Sequence, residues 1–357
     1  MKNNYLLWLL VIACFNALGI LYFFSESIER PDTPFYVQTI DYFSGQAAAP
    51  SLERLVKPLS MMTAAGLSFI FGPRGALFAQ NLLLYFASII LVFKIIEKLY
   101  ASKKQALYGA VIFMTSFPML QNALSFLTDM TGWFFLTLVV YLALVFYQQP
   151  TLKLAVIAGL LSGLGFLFKE SGAVGAVFFA FLILFAPKIR WLQKMKYGTI
   201  LFLCAVLPII LSVFLITETF HYSYLDWYKA NLLSSGKDYN LPNIIQQLLV
   251  MFLLGWIFAA RGFWQEKKNQ WGGGDRKIIF LAMIPLFLTG FLWPMPVARV
   301  LFLGIMPLVI LASWGLASFK KPFLEIMLLI LLVAVNYTLP NIFSIVDLSR
   351  ILNLILP

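Results

Sequence analysis

The stretch YLLWLLVIACFNALGILYFF, residues 5–24, contains no charged side chain. At about 1.5 Å per residue, a helix of this length covers the roughly 30 Å of a bilayer's hydrocarbon core. No small-x-small cleavage site follows the stretch, which predicts an uncleaved membrane anchor rather than a removed leader. Similar apolar runs recur along the chain, and they decide the fold class.

The composition agrees with a membrane protein. Of the 357 residues, 61% are hydrophobic and only 11% are charged, whereas a soluble domain carries about 25% charged residues. The net charge of +11 is typical of a membrane protein whose cytoplasmic loops are basic. The basic residues do not cluster as a nucleic-acid-binding face would require, so no nucleic-acid partner is expected.

The hydrophobic pattern predicts an all-α polytopic membrane protein with about eleven transmembrane helices. Strands are not expected, because open sheet edges cannot face lipid. Of the 26 Lys and Arg residues, about 17 fall on the same side as the N-terminus, which predicts a cytoplasmic N-terminus and an outer C-terminus. The predicted spans are residues 5–24, 76–97, 106–123, 126–146, 152–168, 171–187, 197–217, 246–262, 277–293, 297–318 and 322–339.

Two connecting segments are long enough to carry a site on the outer side. The first covers residues 25–75, and its part at 58–71 is amphiphilic but too short to span, which favours an interfacial or re-entrant helix. The second covers about residues 218–245. We therefore expect a single transmembrane domain over residues 1–357, with no separate soluble domain.

Two acidic residues are candidates for chemistry at the outer face. Asp32 lies between Pro31 and Pro34, and such a constrained, non-helical turn could fix a carboxylate at the membrane surface; the alternative is an ordinary solvated loop acid. Asp129 follows Thr128 at the start of a predicted span. It is either a helix N-terminal acid with Thr128 as its cap or a second carboxylate facing the same cavity.

Three basic residues are candidates for binding an anion. Lys169, followed by Glu170, lies in a tight turn between two predicted spans, where it either snorkels to the interface or points at an anionic headgroup or phosphate. Arg299, after the segment Trp293-Pro294-Met295-Pro296, opens a late span, and Arg74 precedes the second span. The chain has one histidine, which excludes a multi-histidine metal site.

Short motifs follow one another in an order that is typical of one superfamily. They are Asp32 with Tyr36, the Lys57-Pro58-Leu59 start of the interfacial helix, Gly72, Ala76 and Asn81 leading into the next span, Thr128-Asp129, the glycine-containing run that ends at Lys169, and Arg299. This order resembles the GT-C superfamily of membrane glycosyltransferases, in particular the aminoarabinose transferases and protein mannosyltransferases. It implies a GT-C-like helical bundle with interfacial helices in the first outer loop.

The resemblance implies transfer of a sugar from a polyprenyl-phosphate carrier to a lipid, glycan or protein acceptor at the outer face of a bacterial plasma membrane. Asp32 would be the base of an inverting reaction, and Lys169, Arg299 and Arg74 would bind the donor phosphate. Tyr36, Asp129 and Glu170 would support the site or the acceptor. The resemblance implies no definite cofactor, and a divalent cation shared by Asp32 and Asp129 stays open.

Two other classes remain open at this point. A secondary transporter or a flippase for lipid-linked sugars would also be an apolar bundle, but inverted repeats and mid-span acidic residues are not evident in the sequence. A polysaccharide polymerase or ligase would be expected to carry an outer loop rich in Arg and His, and the second loop contains His221 but no arginine.

Overall fold

The computed structural model describes residues 4–234, 241–293 and 297–343. These described residues are helical and include no strand. Residues 235–240 of the predicted second outer loop, and residues 294–296 of the segment before Arg299, lie outside this range. The helices are α1 Tyr5–Phe23, α2 Thr33–Phe43, α3 Leu52–Leu55, α4 Pro58–Tyr100, α5 Lys103–Met114, α6 Phe117–Asn122, α7 Asp129–Gln148, α8 Leu152–Phe168, α9 Val174–Phe185, α10 Trp191–Phe220, α11 Tyr224–Ser234, α12 Leu241–Phe252, α13 Gly255–Lys268, α14 Asp275–Thr289, α15 Ala298–Leu301, α16 Ile305–Ala317 and α17 Pro322–Phe343.

The prediction of a multi-pass helical membrane protein is confirmed. Among the described residues, five helical segments are long and apolar enough to cross a bilayer: α1, α4, α7, α10 and the segment Ala298–Ala317. A sixth is obtained if α12 and α13, which meet at an angle of 80°, count as one broken span. Shorter apolar helices are Leu152–Phe168, Glu170–Phe185 and Pro322–Thr338. The count of eleven therefore stays a prediction.

The segment predicted to hold an interfacial helix is the start of α4. Its 43 residues would be about 64 Å long at 1.5 Å per residue, roughly twice the hydrocarbon thickness of a bilayer. Gly72 interrupts the helix with φ 69° and ψ 167°, a left-handed backbone conformation that glycine tolerates best, and Pro73 follows. Residues 58–71 therefore form a separate helical piece ahead of the span, as predicted.

The chain divides into two compact units. The first comprises Met1–Phe23, Ile89–Gln121 and Lys237–Pro357, and the second comprises Phe24–Ser88 and Asn122–Gly236. The single transmembrane domain inferred from the sequence stays a prediction.

In the first unit, α13 and α16 approach closely because a glycine lies on each helix. A Cβ atom on Gly262 would collide with the backbone oxygen of Leu311, and one on Gly315 would collide with that of Phe258. The buried acidic side chain of Glu266 in this unit has a partner in Arg276, whose Nε lies 3.1 Å from the Glu266 Oε2. The first unit thus packs like a helical membrane bundle, in which small residues bring backbones together.

The second unit contains α7, α8, α9 and α10. Gly159 and Gly163 on α8 face α10, where a Cβ on Gly159 would lie 2.6 Å from the backbone oxygen of Leu201. A Cβ on Gly163 would collide with the backbone oxygen of Ala205. This close packing holds the C-terminal end of α8, and with it Lys169, in a defined position.

Candidate active site

The second unit brings together seven charged and polar side chains, which we call the polar cluster. Five of them were predicted as site residues from the sequence, and two, Arg54 and Lys57, were not. The members are Asp32, Tyr36, Arg54, Lys57, Asp129, Lys169 and Glu170.

Asp32 and Tyr36 are placed by the start of α2. The helix begins at Thr33, and the backbone oxygen of Asp32 accepts hydrogen bonds from the amides of Phe35, at 3.1 Å, and Tyr36, at 3.4 Å. The predicted non-helical turn around Asp32 is therefore shorter than expected. Pro34 lies in the first turn of α2, where a proline is tolerated and does not prevent the helix from starting. Tyr36 consequently follows Asp32 by about one helical turn.

Hydrogen bonds to main-chain oxygens hold the start of α7 next to this turn. The backbone amide of Phe126 donates to the backbone oxygen of Ile28 at 2.8 Å. The side-chain amide of Asn81 donates to the backbone oxygens of Ser125, at 2.7 Å, and Leu127, at 2.8 Å. Buried polar groups in such positions are ordinarily hydrogen-bonded, and here they hold the segment that carries Asp129 against the first outer loop.

Thr128 does not have the capping role that was one interpretation of its position. No side-chain hydrogen bond caps the N-terminus of α7. The Thr128 hydroxyl instead lies 3.4 Å from the Tyr36 hydroxyl. The capping hypothesis for Thr128 is therefore wrong, and its side chain faces the polar cluster.

Arg54 and Lys57 reach the cluster from the short helix α3 and the turn that follows it. Arg54 Nη2 lies 3.4 Å from Asp32 Oδ2. Arg54 Nη1 and Lys57 Nζ each lie 3.5 Å from the Tyr36 hydroxyl. The guanidinium of Arg54 also stacks over the Tyr36 ring, with 4.7 Å between its Cζ and the ring centroid. Two buried cations thus flank one phenol.

Lys169 and Glu170 enter from the turn after α8. Lys169 Nζ lies 3.5 Å from Asp129 Oδ1 and 3.4 Å from Glu170 Oε1. Glu170 Oε2 lies 3.7 Å from Lys57 Nζ, so the Glu170 carboxylate bridges two lysines. Gly132 on α7 leaves room for this turn, since a Cβ there would collide with Ser171 Oγ and lie 2.9 Å from Lys169 Cγ.

Apart from Asp32, the cluster is largely buried, and its positive charges dominate the surroundings of Tyr36. Tyr36 is 1% exposed and Lys57 is 2% exposed. Burial alone would raise the pKa of Tyr36, but the nearby charges of Lys57, Arg54 and Lys169 outweigh it and lower that pKa to about 8. Burial lowers the pKa of Lys57 despite the opposing effect of Glu170. The arrangement therefore favours an anion among these three cations.

Aromatic side chains of α11 cover Lys57. The Trp227 ring centroid lies 5.3 Å from Lys57 Nζ, in the geometry of a cation–π contact. Trp227 is itself 3% exposed and packs against Tyr224, with 5.1 Å between the two ring centroids. The described part of the predicted second outer loop therefore contributes a wall of the cluster.

An apolar groove of about 400 Å³ lies in the same unit. Its walls come from the first outer loop, the start of α4, the end of α8 and the second half of α10, and Leu55 and Pro58 in them are the chain neighbours of Arg54 and Lys57. The lining residues are Phe43, Leu55, Pro58, Leu59, Met62, Leu167, Pro208, Leu211, Ser212, Leu215, Ile216, Thr219 and Phe220. Three cations beside such a groove are suited to a ligand that joins an anionic head to a hydrocarbon chain.

The two remaining predicted phosphate ligands are Arg74, in the second unit, and Arg299, in the first. Arg74 forms an exposed ion pair in which its Nη2 lies 2.9 Å from Glu29 Oε1. Arg299 lies on α15, which belongs to the first unit, and its side chain is exposed. Their contact with a donor phosphate stays a prediction.

Basic side chains already pair with the two carboxylates that were predicted to share a divalent cation. Asp32 pairs with Arg54, and Asp129 pairs with Lys169. Within the described residues, no group of three His, Cys, Asp or Glu side chains is arranged to hold a metal ion. A cation between Asp32 and Asp129 would have to displace these partners, and its presence stays a prediction.

Comparison with known proteins relates the middle part of the chain, which carries Asp129, Lys169 and Glu170, to sugar transferases. Residues 58–216 match the family of dolichyl-phosphate-mannose-protein mannosyltransferases. No curated protein sequence matches the chain. The family match covers α4 to α9, the turn that carries Lys169, and α10 as far as Ile216.

Solved structures show the same fold. The crystal structure of ArnT from Cupriavidus metallidurans bound to undecaprenyl phosphate has a TM-score of 0.63 and 14% identity, and the match covers 90% of this chain and 61% of that one. The archaeal oligosaccharyltransferase AglB from Archaeoglobus fulgidus, in complex with an inhibitory peptide and a dolichol-phosphate, has a TM-score of 0.58 and 13% identity. That match covers 96% of this chain and 56% of AglB.

The chain thus spans a little over half the length of the structures that it matches. The all-helical architecture predicted from the hydrophobic pattern, and the resemblance to the GT-C superfamily, are confirmed. The chain has the fold of the GT-C superfamily of membrane glycosyltransferases.

Proposed function

We propose that this protein is a glycosyltransferase that moves a sugar from a polyprenyl-phosphate carrier to an acceptor, with inversion at the anomeric carbon. The observation that carries the proposal is the combination of a buried cationic cluster and an apolar groove in one compact unit. A polyprenyl phosphate has a phosphate and a long hydrocarbon chain, which these two features complement.

The donor phosphate is assigned to Lys57, Arg54 and Lys169. A departing phosphate gathers negative charge, and preorganised cations in a buried site stabilise that charge effectively. The prenyl chain would lie in the groove. The related structures of ArnT, which holds undecaprenyl phosphate, and AglB, which holds a dolichol-phosphate, support a carrier of this class. Arg74 and Arg299 are further proposed contacts of the phosphate.

Asp32 is assigned as the general base. Its side chain is 45% exposed, so an acceptor hydroxyl can approach it from solvent. In an inverting reaction a carboxylate takes the proton of the attacking hydroxyl while the phosphate leaves from the opposite face of the sugar. Arg54 contacts both Asp32 and Tyr36, and it therefore links the proposed base to the proposed phosphate site.

Tyr36, Asp129 and Glu170 are assigned supporting roles. Tyr36 contacts Arg54 and Lys57 and would orient both cations. Asp129 and Glu170 hold Lys169 from two sides. The acceptor is a lipid, a glycan or a protein, and the sugar is a hexose or a pentose.

Purified protein in liposomes is expected to release polyprenyl phosphate from a panel of synthetic polyprenyl-phosphate hexoses and pentoses when acceptor lipids and glycans are supplied. Release is followed by chromatography of the radiolabelled carrier, and the anomeric configuration of the product by NMR. A retained anomeric configuration would contradict inversion. Movement of the labelled carrier across the bilayer without sugar transfer would support a flippase instead.

We place the site on the outer face of a bacterial plasma membrane, with a cytoplasmic N-terminus. In a background with Cys14 and Cys204 replaced by Ala, a membrane-impermeant maleimide is expected to label Gln46→Cys in intact spheroplasts. The Lys103→Cys variant should react only after permeabilisation. Both native side chains are exposed, so neither substitution should disturb packing. The reverse pattern of labelling would overturn the orientation.

A further inference from the structure

Glu170 occupies an unusual position for an acidic residue in a site that is proposed to bind phosphate. Its side chain is 13% exposed and lies between Lys57 and Lys169. It thus neutralises two of the three ammonium and guanidinium groups that a donor phosphate would use. An acid in this place lowers the attraction of the cluster for an anion, and this requires an explanation.

The contacts of Glu170 with Lys57 and Lys169 are longer than those of a hydrogen-bonded ion pair. Its carboxylate oxygens lie 3.4 Å from Lys169 Nζ and 3.7 Å from Lys57 Nζ, whereas charge-assisted N–H···O bonds are about 2.7–2.9 Å long. Within the described residues, Glu170 Oε2 is buried and accepts no hydrogen bond. Both contacts of the Glu170 carboxylate are therefore long, and a phosphate, which has more oxygen atoms, would bind the two ammonium groups at shorter distances than this carboxylate does.

From this geometry we infer that Glu170 is an intramolecular competitor of the donor phosphate. The inference rests on the proposed function. The carboxylate holds Lys57 and Lys169 at the position where the phosphate binds, and it leaves them when the phosphate arrives. It limits the affinity for the phosphate of the spent carrier, so that the carrier can be released after each transfer. Glu170 is a specificity and positioning residue, and it does not touch the reacting atoms.

The test measures binding of a short-chain polyprenyl phosphate and of inorganic phosphate by isothermal titration calorimetry at pH 6.5. Glu170→Gln is expected to bind each probe about tenfold more tightly than the wild type, because it removes the competing charge and keeps the side-chain shape. In turnover assays the same variant should release the carrier more slowly. Glu170→Asp, which retains the charge on a shorter side chain, should tighten binding by a smaller factor.

Glu53→Gln is the matched control. Glu53 Oε2 also lies 3.7 Å from a cation, Arg54 Nη2, but its side chain is 55% exposed, so solvent screens its charge and its removal should change affinity less than twofold. Thermal unfolding checks that each variant is folded. Unchanged or weaker binding by both Glu170 variants, with wild-type binding intact, overturns this inference and leaves the proposed function standing. Absence of binding to the wild type and every variant overturns both.

Discussion

Replacing Asp32 with Asn is expected to lower the turnover number for sugar transfer by about 10³-fold, within the range of a lost general base. An amide has the same size as the carboxylate but cannot take a proton from the acceptor. The side chain is 45% exposed and pairs with Arg54 at 3.4 Å, so its loss should not unfold the protein. The KM for the sugar donor should change less than threefold, because Asp32 is not assigned to the phosphate.

Glu53 provides the comparison for this variant as well. Asp32 and Glu53 both contact Arg54 Nη2, at 3.4 and 3.7 Å, and both are about half exposed. Glu53→Gln therefore removes a similar charge from the same guanidinium without touching the proposed base, and we expect turnover within twofold of the wild type. Equal losses in Asp32→Asn and Glu53→Gln would show that only the charge around Arg54 matters, and Asp32 would no longer be assigned as the base.

Most of the polar cluster could be predicted because its members stand out locally in the sequence. Asp32 lies between prolines, Thr128-Asp129 opens a span, and Lys169-Glu170 occupies a turn between two apolar helices. Charges in such places are rare in a membrane protein and point to function. The sequence motif also paired Tyr36 with Asp32. In the structure, Tyr36 follows Asp32 by about one turn at the start of α2.

Arg54 could not be found in this way. It lies in a long, polar outer segment where a charged residue is unremarkable, and only the short helix α3 turns it toward Asp32 and Tyr36. Lys57 was recognised as part of a motif but was not assigned to the site. Its burial depends on Trp227, which is 170 positions later in the chain. Long-range contacts of this kind leave no local pattern.

The count of spans was harder to predict than the fold class, because composition does not show where a helix breaks. The predicted span at 106–123 is divided between α5 and α6, which end at Met114 and begin at Phe117. The predicted span at 246–262 falls across α12 and α13, which meet at 80°. Apolar runs predict burial in lipid or protein, but tertiary packing decides whether a run is one straight helix.

Lys57 carries the second large expected effect, because it is the most deeply buried of the three cluster cations, Lys57, Arg54 and Lys169, that we assign to the donor phosphate. Its Nζ lies 3.5 Å from the Tyr36 hydroxyl, 3.7 Å from Glu170 Oε2 and 5.3 Å from the Trp227 ring centroid. It is 2% exposed, so water cannot take the place of its ammonium group in these contacts. Loss of one partner of such a buried charge pair typically costs about 2–5 kcal/mol.

Lys57→Met is therefore expected to raise the KM for the sugar donor about 100-fold, equivalent to about 2.8 kcal/mol at 1.4 kcal/mol per tenfold change. Methionine retains the apolar stem, and thermal unfolding will show whether the fold persists. Lys94→Met is the matched control, since Lys94 is 45% exposed and pairs with Glu97 at 2.8 Å, and its KM should stay within twofold of the wild type. Steady-state kinetics over a range of donor concentrations separates KM from kcat. A KM for Lys57→Met within threefold of the wild type, in a folded protein, would remove the phosphate from this cluster and with it the main support for the proposed mechanism.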